Sequence, residues 1–133
     1  MRIFVAGGTG AVGKALVPLL VGRGHRVFAT TRTPGKAAGL RSAGAEPIVV
    51  DGLDRKGILE AVGSVRPDVV VHEMTALSGL TSLSNLDGTF VLTNRLRTEG
   101  TEFPLEAARA AGARRFVAQS YAGWPSGREG ARI

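Results

Sequence analysis

The chain has no cysteine. Disulfides, thiolate metal ligands and a cysteine nucleophile are therefore excluded, and nothing in it reports an oxidising compartment. Aromatic residues are only 5% of the 133 positions, so a core must be built from Val, Leu, Ile and Ala. No apolar run reaches the ~20 residues that a membrane-spanning helix needs. A strand-like pattern starts at Arg2, with no signal peptide visible before it. Together these absences lead us to expect a cytoplasmic protein that does not engage a membrane. Acidic residues are outnumbered, 11 against 17 basic ones, for a formal net charge of +6. That excess attracts anionic ligands such as phosphates. Nucleic-acid binding is not expected, because the basic residues are scattered over many segments and no aromatics interleave the close pairs Arg95/Arg97 and Arg114/Arg115.

What the chain does have is glycine, 19 of them, and an alternation of two patterns. Short apolar runs read as buried strands at Arg2–Ala6, Arg26–Thr30, Glu46–Val50, Asp68–His72 and Arg115–Gln119. Between them, helical spacing runs from Ala11 to about Gly22, where Pro18 should introduce a kink. It returns from Pro34 to Ala43 and from an Asp54 cap to about Val65. A longer helical pattern covers about Thr89 to Ala111, interrupted by Gly100 and Pro104 and so either kinked or split. Glu73–Gly88 reads as a loop, as does everything after the fifth strand. Strands alternating with helices imply βαβ units and a parallel sheet. Right-handed crossovers then give a three-layer, doubly wound α/β fold of about five strands in the order 3-2-1-4-5, in one domain spanning residues 1–133.

The segment Ala6-Gly7-Gly8-Thr9-Gly10-Ala11-Val12-Gly13 joins the first strand to the first helix. Its G-x-x-G-x-x-G spacing has a physical meaning in that place. Gly7 permits the sharp turn, Gly10 lets backbone approach a pyrophosphate, and Gly13 lets the helix pack on the sheet. Amides at the helix start, at the positive end of its dipole, then face the phosphates. Where an acid would bond the ribose 2′-hydroxyl of NAD at the end of the second strand, this chain has Thr30-Thr31-Arg32. Arg32 is either the partner of an NADP 2′-phosphate or a solvated surface arginine. The expected cofactor is accordingly NADP(H) ahead of NAD(H). Asp51, after the third strand, can accept from an adenine amino group. His72, next to Glu73 but without a second ligating His, reads as structural rather than as a base or zinc ligand. Phe90, Leu92 and Leu96 read as core.

These motifs resemble the extended and atypical short-chain dehydrogenase/reductase families, including proteins like the NAD-dependent epimerases and dehydratases. The glycine turn is similar to TGxxGxxG with Ala6 in place of Thr. Thr31-Arg32-Thr33-Pro34 resembles an NADP-type second strand, Asp68–His72 resembles the DVVIH of the fourth strand, and Arg115–Ser120 resembles the fifth strand that leads to the active-site serine region. The resemblance implies a Rossmann fold and an NAD(P)-dependent oxidoreductase or epimerase. It implies phosphate contacts from Gly7, Thr9, Gly10, Ala11 and Val12, with Gly13 completing the turn. Arg32 would hold the 2′-phosphate, and Asp51, Gly52 and Leu53 would flank the adenine. Thr75 and Ala76 would lie near the nicotinamide ribose, and Ser120 near nicotinamide and substrate. The family's Tyr-x-x-x-Lys pair is not matched: the single tyrosine, Tyr121, is followed four positions later by Pro125, and Lys14, Lys36 and Lys56 all precede it. The chain therefore reads as a cofactor-holding part, with a non-catalytic nucleotide-sensing or regulatory module as the alternative. A fifth strand left as an open edge leads us to expect a homodimer.

Overall fold

The computed structural model describes residues 1–76 and 86–120. Five strands, β1 (Arg2–Ala6), β2 (Arg26–Thr31), β3 (Glu46–Val49), β4 (Val69–His72) and β5 (Arg115–Ala118), form an all-parallel sheet in the order β3-β2-β1-β4-β5. The doubly wound fold read from the sequence is the fold observed. The order follows from two right-handed crossovers outward on one side of β1 and a return across the sheet to β4 on the other.

Both faces of the sheet are covered, which is why its central strands are apolar at consecutive positions. On one side, Ile3, Val5, Val27, Ala29 and Val71 pack with Val17 of α1 (Ala11–Gly22) and Leu40 of α2 (Ala37–Ser42). On the other, Phe4, Ala6, Phe28 and Val70 pack with Ile58 and Val62 of α3 (Arg55–Val65) and Ala107 and Ala108 of α5 (Glu99–Ala110). The odd–even split along β1 is the period of two that a strand imposes. Asp54 caps α3 as its sequence suggests, accepting from the Gly57 amide at 3.0 Å. An ion pair between Arg55 and Glu106 ties α3 to α5 at the surface.

Two details differ from the sequence expectation. The pattern assigned to one helix from about Thr89 begins earlier, as α4 (Leu86–Arg97), because Gly88 is tolerated in a first turn at a cost of only about 1 kcal/mol. Its break falls at Thr98 rather than at Gly100 or Pro104. There the backbone turns out of the helical region, at φ −89° and ψ −85°, while the Thr98 amide and hydroxyl both donate to the Asn94 carbonyl at 2.9 Å. Pro18 sits on the exposed side of α1, within an uninterrupted run from Ala11 to Gly22. The expected terminal loop, with Tyr121 and Trp124, lies outside the described residues.

The seat of α1 is the tightest junction. A Cβ on Gly13 would stand 2.7 Å from the carbonyl carbon of Gly8 and 2.8 Å from its Cα. Backbone cannot yield as a side chain can, so Gly13→Ala should destabilise the fold by about 1–3 kcal/mol. Urea denaturation monitored by circular dichroism checks this, and an unshifted midpoint would mean that α1 does not rest on the turn.

Candidate cofactor site

The turn after β1 is held from two sides. Gly7 takes φ +93°, a conformation natural to glycine, and its amide donates to Thr30 Oγ1 at 2.9 Å. The Gly8 amide donates to the Thr30 carbonyl at 3.0 Å. Thr9 Oγ1 donates to Thr31 Oγ1 at 3.3 Å, which also accepts from the Thr33 amide at 3.1 Å. Thr30 and Thr31 are buried. Their hydroxyls thus clamp the turn to the end of β2 and fix where Arg32 begins. On the far side the Glu73 amide donates to the Ala6 carbonyl at 2.8 Å, fastening the end of β4 to β1.

A cleft of about 330 Å³ opens across the carboxyl ends of these strands, the usual ligand position in an open α/β sheet. Of the residues singled out in the sequence, Gly7, Thr9, Gly10, Arg32, Asp51, Gly52, Leu53, Thr75 and Ala76 all line it. Ala11 and Val12 do not; they are exposed on the first turn of α1, next to the lining residue Gly10. Gly13 is buried beneath the turn. Ser120 is exposed beyond β5 and outside the lining. One oxygen of Asp51 accepts from the Leu53 amide at 2.9 Å, closing the loop after β3. The Ala76 amide donates to the buried Thr93 hydroxyl at 3.3 Å, which pins the segment after β4 to α4.

The sequence reading passed over several lining residues, including Lys36, Glu73 and Met74. Lys36 ends the one-turn 3-10 helix Pro34–Lys36 that follows Arg32. The spacing of four between two cations was the available signal. Leu92 and Leu96 serve both the core and the cleft wall, and the side chain of Phe90 lies outside the described residues.

The residues fit a diphosphate. A Cβ on Gly10 would meet only Gly7 O at 3.4 Å and Glu73 O at 3.9 Å, so the space that it would fill is free. Gly10 supplies no side-chain cap and the first turn of α1 carries no acid, so no internal anion occupies the amides at that helix start. Among the described residues no group of three His, Cys, Asp or Glu side chains could hold a metal ion. No helix there is long and apolar enough to cross a membrane.

Strand, glycine turn and helix at the head of a doubly wound parallel sheet, with a cleft over its carboxyl ends, define a dinucleotide-binding Rossmann domain. Residues 7–131 match the protein-family model described as NAD(P)H-binding, and the chain belongs to that family. It is 49% identical over 122 residues to the 3-diazoavenalumate denitrifying reductase of a Streptomyces species, covering 92% of this chain and 38% of that protein. It is 37% identical over 117 residues to a 4-hydroxy-2-methyl-3-oxo-4-farnesyl-3,4-dihydroquinoline-1-oxide ketoreductase of Stigmatella aurantiaca, covering 88% and 32% of the two. Among solved structures, the UDP-glucose 4-epimerase of Thermus thermophilus in complex with NAD superposes with a TM-score of 0.74 at 26% identity, over 98% of this chain and 42% of that one. The chain thus spans less than half the length of these relatives.

Behind the cleft, His72 is buried. Its pKa is lowered, first by burial and further by the Arg97 charge, against a hydrogen bond with Leu96 backbone that raises it. Folded His72 therefore stays neutral below the ordinary imidazole value of 6.5, while the unfolded chain takes up a proton. Proton uptake by the unfolded state alone drains stability as pH falls through that value. Chemical denaturation at about pH 7.5 and about pH 5.5 should show a larger loss for the wild type than for His72→Gln. Equal losses would remove His72 from the acid response.

Proposed function

We propose that this chain is the cofactor-holding part of an NADP(H)-preferring reductase. The single observation that carries the proposal is the open glycine turn, whose cleft also collects Arg32 and Lys36 past the end of β2. On this reading Gly7, Thr9 and Gly10 admit the diphosphate, and the amides of Ala11, Val12 and Gly13 supply its donors. Arg32 and Lys36 take the 2′-phosphate, and no acid lines the end of β2 to favour a free 2′-hydroxyl. Asp51, Gly52 and Leu53 border the adenosine, and Thr75 and Ala76 the nicotinamide half. The bound nicotinamide would supply the hydride. The two relatives named as reductases support that class over epimerisation. Ser120, exposed past β5, is the residue that we assign to the substrate side.

Titration with NADPH and NADH tests the assignment. Arg32→Ala should weaken NADPH by about 1.5–3 kcal/mol, the loss of a charge-assisted contact, and barely change NADH. Equal weakening of both would refute the 2′-phosphate role.

We also propose a homodimer. Its support is the β5 edge, where Val117 is 49% exposed. Light scattering at micromolar concentration should give about twice 13.8 kDa; a monomer mass would overturn it.

A further inference from the structure

One acid in the cleft has no partner among the described residues. Glu73 is the first residue past β4, and its main chain is locked against the glycine turn. A Cβ on Gly7 would lie 2.8 Å from both the Glu73 carbonyl carbon and its oxygen. The residue lines the cleft, yet its Oε2 is buried and receives no hydrogen bond among the described residues. No Lys or Arg of those residues forms an ion pair with it. Burial also pushes this carboxyl above its ordinary pKa.

A carboxylate adds negative charge to a cleft suited to a diphosphate. It is useful there only to a ligand that brings hydrogen-bond donors, and ionised phosphates bring none. Sheet order says which part of a dinucleotide does. Arg32 and Asp51 follow β2 and β3, and the glycine turn follows β1. With adenosine over the first pair and the diphosphate at the turn, the next strand in the sheet is β4. The next group in the ligand is a ribose, whose 2′- and 3′-hydroxyls are O–H donors. Glu73, the first residue past β4, lines the cleft at that point.

We propose that Glu73 is a ligand-contacting residue whose carboxylate accepts hydrogen bonds from the hydroxyls of the ribose beyond the diphosphate, an assignment that rests on the dinucleotide reading of the cleft. Glu73 thereby selects ligands that carry a second sugar over those that end at the diphosphate.

Two probes separate the parts: ADP-ribose, which has the second ribose, and ADP, which does not. Affinities are measured for the 133-residue chain and for Glu73→Ala and Glu73→Gln, with circular dichroism as the folding control. Glu73→Ala should weaken ADP-ribose by about tenfold or more and leave ADP unchanged or slightly tighter, since a repelling charge is gone. Glu73→Gln keeps an acceptor oxygen and close to the native shape, so it should fall between and serves if the alanine variant does not fold. Parallel changes for both probes, or unaltered ADP-ribose affinity, would overturn the role of Glu73. A wild-type chain that binds neither probe nor NADPH would instead overturn the dinucleotide reading beneath it.

Discussion

Close approach of backbone to backbone at the end of β1 is the constraint on which the rest of the molecule depends. Gly13 sits on Gly8, Gly7 sits on Glu73, and Gly8 faces Ala29, where a Cβ would stand 2.6 Å from the alanine Cβ. Four elements, β1, α1, β2 and β4, therefore meet with almost no side chain between them. This brings the start of α1 down onto the sheet and leaves its first amides open above it. An ordinary capped helix would have met those donors with its own serine or aspartate; Gly10 leaves them for a ligand. The same packing that seats the helix leaves its first turn without a side-chain cap or an acid.

The charges act around that frame. The start of α1 offers main-chain donors that carry no formal charge, and the cations stand past the end of β2, where Arg32 and Lys36 share the cleft. Past β4 comes the acid Glu73. Across the sheet the cleft thus pairs the cations Arg32 and Lys36 with the Asp51 carboxylate at one end and holds Glu73 at the other.

Much of the frame was legible in the sequence. β1, β2 and β4 announce themselves as apolar runs, Asp54 as a cap, and the glycine spacing as the site of closest approach. The strand order followed from crossover handedness rather than from any residue. What stayed hidden depends on contacts through space. Thr30 and Thr31 look like ordinary strand residues until their hydroxyls are seen holding Gly7 and Thr9. Lys36 reaches the cleft only because a one-turn 3-10 helix follows β2. The break between α4 and α5 falls at Thr98, whose backbone leaves the helical region at φ −89° and ψ −85°, whereas Gly100 and Pro104, the obvious breakers, are buried within α5. Glu73 read as the start of a loop, and only the sheet shows it against the turn.

The most direct test of the open turn is an amide-resolved NMR titration of the 133-residue chain with NADPH. Donation to a diphosphate from the start of α1 requires the largest shifts at Ala11, Val12 and Gly13, saturating together with those at Arg32. Binding that leaves these three amides unmoved, or no binding at all, would contradict it.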